Sequence, residues 1–154
     1  MATSPAPRHR TKAAVDAGPE ETLGHLLWEV SARMSVLGES ALAGTRLTFP
    51  SLGLLELVAN DPGVTIASLS RRVPRTQQAI SQIMSRLEKL GYIERRLGPG
   101  RGVGLHITEP GSAALAEGME LERDYEHHLR DLLGEDRYTQ LLVVLDETNR
   151  LLGA

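Results

Sequence analysis

The chain has 154 residues, of which 41% are hydrophobic and 24% charged, with no cysteine and a formal net charge of −3. That length suits one domain with enough apolar content for a packed core, which excludes a disordered or fibrous protein. The lack of cysteine excludes a disulfide framework, a thiolate zinc site and a thiol redox switch.

Residues 1–19 are rich in Ala, Pro and Thr and lack apolar periodicity, which predicts a flexible arm. Arg8, Arg10 and Lys12 have no apolar run behind them, and no stretch reaches the ~20 apolar residues of a membrane helix, so the expected location is the cytoplasm. From Glu20 onward, Leu23, Leu26, Leu27, Val30, Met34, Leu37 and Ala41 recur at spacings of three and four, the pattern of an amphipathic helix of about six turns. Thr48 reads as the N-cap of a second helix with Pro50 in its first turn, stopped by Asn60-Asp61-Pro62-Gly63. Thr65 caps a short third helix over 66–72, which Pro74 ends, and Thr76 caps a fourth over 77–90. The fourth has an apolar stripe of Ile80, Ile83 or Met84, Leu87 and Leu90, with Gly91 at its end. Two short helices joined by a tight turn predict a helix-turn-helix.

After Gly91 the period changes. Residues 92–97 and 103–107 read as strands around the turn Gly98-Pro99-Gly100-Arg101-Gly102, which makes a hairpin wing. Thr108 caps a fifth helix over 109–133, and a sixth follows Gly134 over 135–152 with Tyr138, Leu141, Leu142, Leu145, Thr148 and Leu152 on one face. The predicted fold is mainly α with a small β-hairpin wing. It comprises an arm (1–19), a dimerisation helix (20–46), a winged helix-turn-helix lobe (47–108) and C-terminal dimerisation helices (109–154).

Charge locates the function. Residues 71–108 hold 8 basic residues against 2 acidic, whereas 1–70 hold 5 against 7 and 109–154 hold 4 against 11. Such a basic island in an acidic chain is the electrostatic footprint of a nucleic-acid binder. The outward face of the fourth helix carries Gln77, Gln78, Ser81, Gln82 and Ser85, polar but uncharged. Ordinary exposed helix faces carry Glu and Lys, whereas Gln and Ser offer both donor and acceptor to base edges in the major groove. Gln77, Gln78, Ser81 and Gln82 are therefore the candidates for base readout, with Thr76, Ser85 and Arg86 on bases or flanking phosphates. Arg71, Arg72 and Arg75 are placed for phosphates. Arg95, Arg96 and Arg101 arm the wing, whose Gly-Pro tip is slim enough for a minor groove about 6 Å wide.

Leu47-Thr48-Phe49-Pro50, Thr65-Ile66-Ala67-Ser68-Leu69, Ile80-Ser81, Arg86-Leu87-Glu88-Lys89-Leu90-Gly91-Tyr92-Ile93 and Ile107-Thr108-Glu109-Pro110-Gly111 occur in this order. In order and spacing they resemble the core of the MarR family of transcriptional regulators. The resemblance implies a homodimer whose first, fifth and sixth helices interlock, on pseudo-palindromic double-stranded DNA. The apolar stripes agree with a partner chain, and Leu23, Leu27, Val30, Tyr138, Leu141, Leu145 and Leu152 are its candidate interface. The resemblance also implies release of DNA, as by a repressor, when a small aromatic or anionic effector binds between dimerisation helices and lobe, with His25 and Trp28 as candidate contacts. Where the family often has an Asp two residues before the wing arginine, this chain has Pro99.

No nucleophile with a base, phosphate loop or paired acids in an apolar setting is present, so no enzyme and no cofactor are expected. Nor is a metal site: His127 and His128 point about 100° apart on a helix. A protein-interaction winged helix and a non-sequence-specific architectural DNA-binding protein are the competing readings.

Overall fold

A computed structural model describes residues 22–98 and 102–153. The arm at 1–19, the expected helix start at Glu20, and Pro99 and Arg101 at the wing tip lie outside the described residues. The chain divides into two compact units, one ending at Met34 and one beginning at Ser35. In the first unit helix α1 (Leu23–Leu42) begins, and Thr22 Oγ1 accepts the backbone N–H of His25 at 3.2 Å, satisfying one of the unpaired donors of the first turn. Glu29 and Arg33 pair at 2.6 Å one turn apart, while Leu23, Leu26, Leu27 and Val30 are exposed.

The second unit contains the end of α1, a 3-10 turn (Ala43–Thr45), α2 (Phe49–Asn60), α3 (Ile66–Arg72) and α4 (Gln77–Lys89). The strands β1 (Ile93–Leu97) and β2 (Val103–Ile107) follow, then α5 (Glu109–Leu133) and α6 (Glu135–Leu152). The four threonines expected as caps all act so: Thr48, Thr65, Thr76 and Thr108 accept the backbone N–H of Ser51, Ser68, Ala79 and Gly111. Thr48 and Ser51 also cap each other reciprocally, with the Thr48 N–H donating to Ser51 Oγ at 2.7 Å. At seven residues α3 is too short to persist alone, and the fully buried Leu69 ties it to the core.

That core is made of Leu42, Leu47, Leu52, Leu55, Val58, Leu69, Ile80, Met84, Leu87, Ile93 and Leu105. Each large side chain of this kind stabilises the fold by about 1.5–3 kcal/mol. Of the two alternatives for the α4 stripe, Met84 is buried and Ile83 only half-buried. Helix α4 stops one residue earlier than expected, with Leu90 as its C-cap, because Gly91 turns the chain at φ +75. The strands pair antiparallel from Ile93 opposite Ile107 to Leu97 opposite Val103. An isolated bridge between Val64 and Leu105, not expected from the sequence, fastens the chain before α3 to the wing. It needs Gly104, since a Cβ there would lie 2.8 Å from the Gly63 backbone.

One candidate interface residue makes its contacts within its own chain. Tyr138 is buried within its own chain beside Tyr125 and Leu129, its hydroxyl donating to Glu126 and its ring 4.4 Å beneath the Arg130 guanidinium. The Glu126 hydrogen bond holds the phenol proton and raises the Tyr138 pKa, so the side chain ties α6 to α5. Leu141, Leu145 and Leu152 are exposed, with Leu152 82% accessible.

Candidate nucleic-acid interface

Helix α4 turns Ile80, Met84 and Leu87 inward, which fixes the opposite face outward. Gln77, Gln78, Gln82 and Arg86 are exposed there, and Ser81 and Ser85 are half-buried between them. This stripe carries no carboxylate. Thr76 accepts its capping bond at 3.2 Å and retains its hydroxyl proton for an outside acceptor. The structure thus brings the predicted readout residues onto one accessible helix face.

The arginines around that face divide into two kinds. Arg71 and Arg75 are exposed, and no carboxylate among the described residues pairs with either. Arg72 pairs with Asp61 at 3.0 Å. On the wing, Arg95 Nε lies 3.0 Å from Glu88 Oε2 of α4, and Arg96 pairs with Glu94 on its own strand. Both acidic residues of 71–108 are therefore engaged with wing arginines. Exposed pairs of this sort are worth about 0–1 kcal/mol, so a phosphate can displace the carboxylate at small cost.

Arg86 makes a contact that the sequence did not suggest. Its guanidinium turns back to the joint between α1 and α2, where Nη2 donates to the carbonyl of Arg46 at 3.4 Å. Beside it, Tyr92 donates its hydroxyl to the carbonyl of Thr45 at 2.9 Å. Sequence reasoning placed Tyr92 in the wing strand and gave Thr45 and Arg46 no role. The missed signal is modest: a tyrosine directly after Gly91, whose hydroxyl needs a partner.

His25 and Trp28, the candidate effector contacts, are exposed neighbours in the unit ending at Met34, with ring centroids 6.1 Å apart. In the unit from Ser35, a cavity of about 250 Å³ is lined by Phe49, Pro50, Gly53, Leu54, Val73, Pro74 and Arg75. A second, of about 190 Å³, shares Phe49 and Pro50 and adds Ser35, Glu39 and Thr48. Among the described residues no group of three or more His, Asp or Glu could hold a metal ion. No described helix is long and apolar enough to cross a membrane.

The sequence model of the MarR family matches residues 47–102, from the residue before the Thr48 cap to the wing turn. An HTH-type transcriptional repressor of Mycobacterium tuberculosis, Rv2887, is 31% identical over 93 residues, which span 59% of this chain and 67% of that one. Two solved structures of the transcriptional repressor CouR are 25% identical to this chain. The one bound to p-coumaroyl-CoA has TM-score 0.77 over 84% of this chain and 92% of its own. The one bound to a 23-mer DNA duplex has TM-score 0.76 over 83% and 92%. With 67% of the mycobacterial repressor covered at 31% identity and the family model matched over residues 47–102, the chain belongs to the MarR family.

Proposed function

We propose that this protein is a homodimeric transcriptional repressor that reads a pseudo-palindromic operator with α4 and releases it when a small aromatic or anionic ligand binds. The observation that carries the reading is the exposed, uncharged Gln77, Gln78, Ser81 and Gln82 face of α4, flanked by Arg71, Arg72 and Arg75. Gln can pair bidentately with adenine N6 and N7 and Ser with either kind of edge, while the arginines set the register on phosphates. Arg95 and Arg96 on β1, and Arg101 beyond them, supply the wing contacts. The DNA-bound CouR structure supports this placement, since its chain has the same fold.

For the dimer, Leu23, Leu27 and Val30 on α1 and Leu141, Leu145 and Leu152 on α6 are exposed apolar residues at helical spacing, which a second copy would cover. For the effector, the cavity beside Arg75 combines an apolar lining with one guanidinium, suited to a planar acid, and its wall includes the turn directly before α4. His25 and Trp28 remain candidate effector contacts in the N-terminal unit.

The test is fluorescence anisotropy of the purified protein with the DNA upstream of its own gene and with a scrambled duplex, across a salt series. Preference for the native fragment by about 10³ or more with a steep negative salt slope is the expected result. Equal, weak binding to both duplexes refutes a sequence-specific repressor and favours an architectural role; no binding to either favours a protein-interaction module.

A further inference from the structure

We propose that Tyr92 is a positioning residue for operator recognition: its hydroxyl, donated to the Thr45 carbonyl, fixes the tilt of α4 and the wing against the joint between α1 and α2. This rests on the operator-binding reading above. Residues 91 and 92 are the point where three elements are fastened. The Tyr92 N–H donates to the Leu87 carbonyl at 2.9 Å, closing the end of α4. The Tyr92 carbonyl accepts from the Thr108 N–H at 3.0 Å, and Thr108 Oγ1 donates to the Gly91 carbonyl at 2.6 Å, so the start of α5 is held there too. The Tyr92 side chain then links this fastening to the α1–α2 joint, alongside the longer Arg86 contact.

The acceptor is itself held firmly. Thr45 is buried, and its hydroxyl donates to the Leu42 carbonyl at 2.8 Å and accepts from the Leu47 N–H at 3.1 Å. Arg46, at φ 59 and ψ 12, is the one non-glycine residue with left-handed backbone among those described, and it turns the chain from the 3-10 turn toward α2. The carbonyls of Thr45 and Arg46 thus face two donors at the C-terminal end of the helix whose N-terminal half carries Gln77 and Gln78.

Leverage makes this fastening matter for specificity. Helix α4 has 13 residues. It is therefore about 20 Å long, and a tilt of about 5° at one end moves the other by about 1.7 Å. Such a shift breaks a bidentate base contact, whereas long arginine side chains follow the phosphates. Loss of the Tyr92 hydroxyl should therefore weaken cognate binding and leave non-specific binding intact.

Tyr92→Phe keeps the ring and removes the donor. With a duplex selected from a random pool by the wild-type protein, Kd should rise about 3- to 10-fold, the scale of one neutral hydrogen bond. Kd for a scrambled duplex and the salt slope should stay at the wild-type values. Replacing Tyr92 by 4-aminophenylalanine, whose amine can donate to the same carbonyl, should restore most of the selectivity. Wild-type Kd in Tyr92→Phe, equal losses on both duplexes, or a loss that the amine does not reverse would each overturn the proposal. A wild-type protein that enriches no sequence from the pool removes the operator-binding reading itself, and this is seen before any variant is made.

Discussion

Replacing Glu88 with glutamine removes the carboxylate that holds Arg95, and its effect should appear chiefly in the salt dependence of DNA binding. The pair spans 3.0 Å, with the side chains 34% and 40% exposed. Coulomb's law gives about 1.4 kcal/mol for unit charges at that distance in bulk water. Side-chain entropy and salt screening reduce an exposed pair to about 0.5 kcal/mol. Stability should fall by no more than that, lowering Tm by about 1–2 °C for a chain of this size. Binding should change more. In the wild type, an Arg95 that leaves Glu88 for a phosphate keeps that carboxylate beside it, which offsets part of the charge it neutralises. Without Glu88 it neutralises the phosphate in full, steepening the slope of log Kobs against log salt by up to about 0.9. Anisotropy titrations of the scrambled duplex across a salt series measure this directly, with Arg95→Gln as the opposing control. The variant should bind more tightly than wild type at low salt and converge with it at high salt. An unchanged slope in Glu88→Gln would show that Arg95 meets no phosphate and refute the placement of the wing on the DNA backbone.

Three further outcomes test other parts of the molecule. Gln78→Ala should cost about 1–3 kcal/mol on the selected duplex, with no change on the scrambled one and no change in salt slope, as competition anisotropy would report. Gly111→Ala should lower Tm, although helix propensity alone predicts about 1 kcal/mol of stabilisation. The added Cβ would sit 2.0 Å from the Tyr92 carbonyl oxygen, a backbone atom pinned on both sides, so a Tm at or above wild type would refute the tight fit of α5 on the wing base. Glu122 has its pKa raised first by burial and then by Glu126 and Glu56. A group whose folded pKa lies above its unfolded value stabilises the fold when protonated and loses that contribution as pH rises through the folded pKa. Glu122→Gln should therefore raise Tm at neutral pH, and thermal melts across pH should show the gain vanish below the usual carboxylate range.

The helices and wing were legible because threonine caps, proline and glycine breaks and apolar spacing are local signals. Thr65 and Pro74 alone bracket α3 correctly, and Gly134 separates α5 from α6. What the sequence did not show is contact between distant positions. The Val64–Leu105 bridge joins residues with no periodic pattern between them, and Val64 is a single residue, too short to read as a strand. Tyr138 fits the outward stripe of α6 by spacing, yet its hydroxyl needs a partner, and Glu126 on α5 supplies one by a fold-back that spacing cannot reveal. The same holds at the candidate site. The Gln and Ser face follows from helical periodicity, whereas the carboxylates facing Arg72 and Arg95, and the carbonyls facing Arg86 and Tyr92, depend on how elements pack.

These packing contacts divide the interface into two mechanisms that salt can separate. Arg72, Arg95 and Arg96 are held by Asp61, Glu88 and Glu94 in pairs that are exposed, individually weak and open to replacement by phosphates. On the proposed reading, their substitution should change the number of phosphates neutralised, and so the salt slope, on any DNA. The Tyr92 bond joins a neutral hydroxyl to a neutral carbonyl of the buried Thr45, beyond the C-terminal end of α4, so no charge is exchanged with a phosphate there. On the proposed reading, its removal should leave the count of neutralised phosphates alone and alter only how accurately Gln77 and Gln78 meet the bases. A variant of either kind that produced the other's signature would mean that charge and orientation are not separable here, and that α4 moves with the arginines around it.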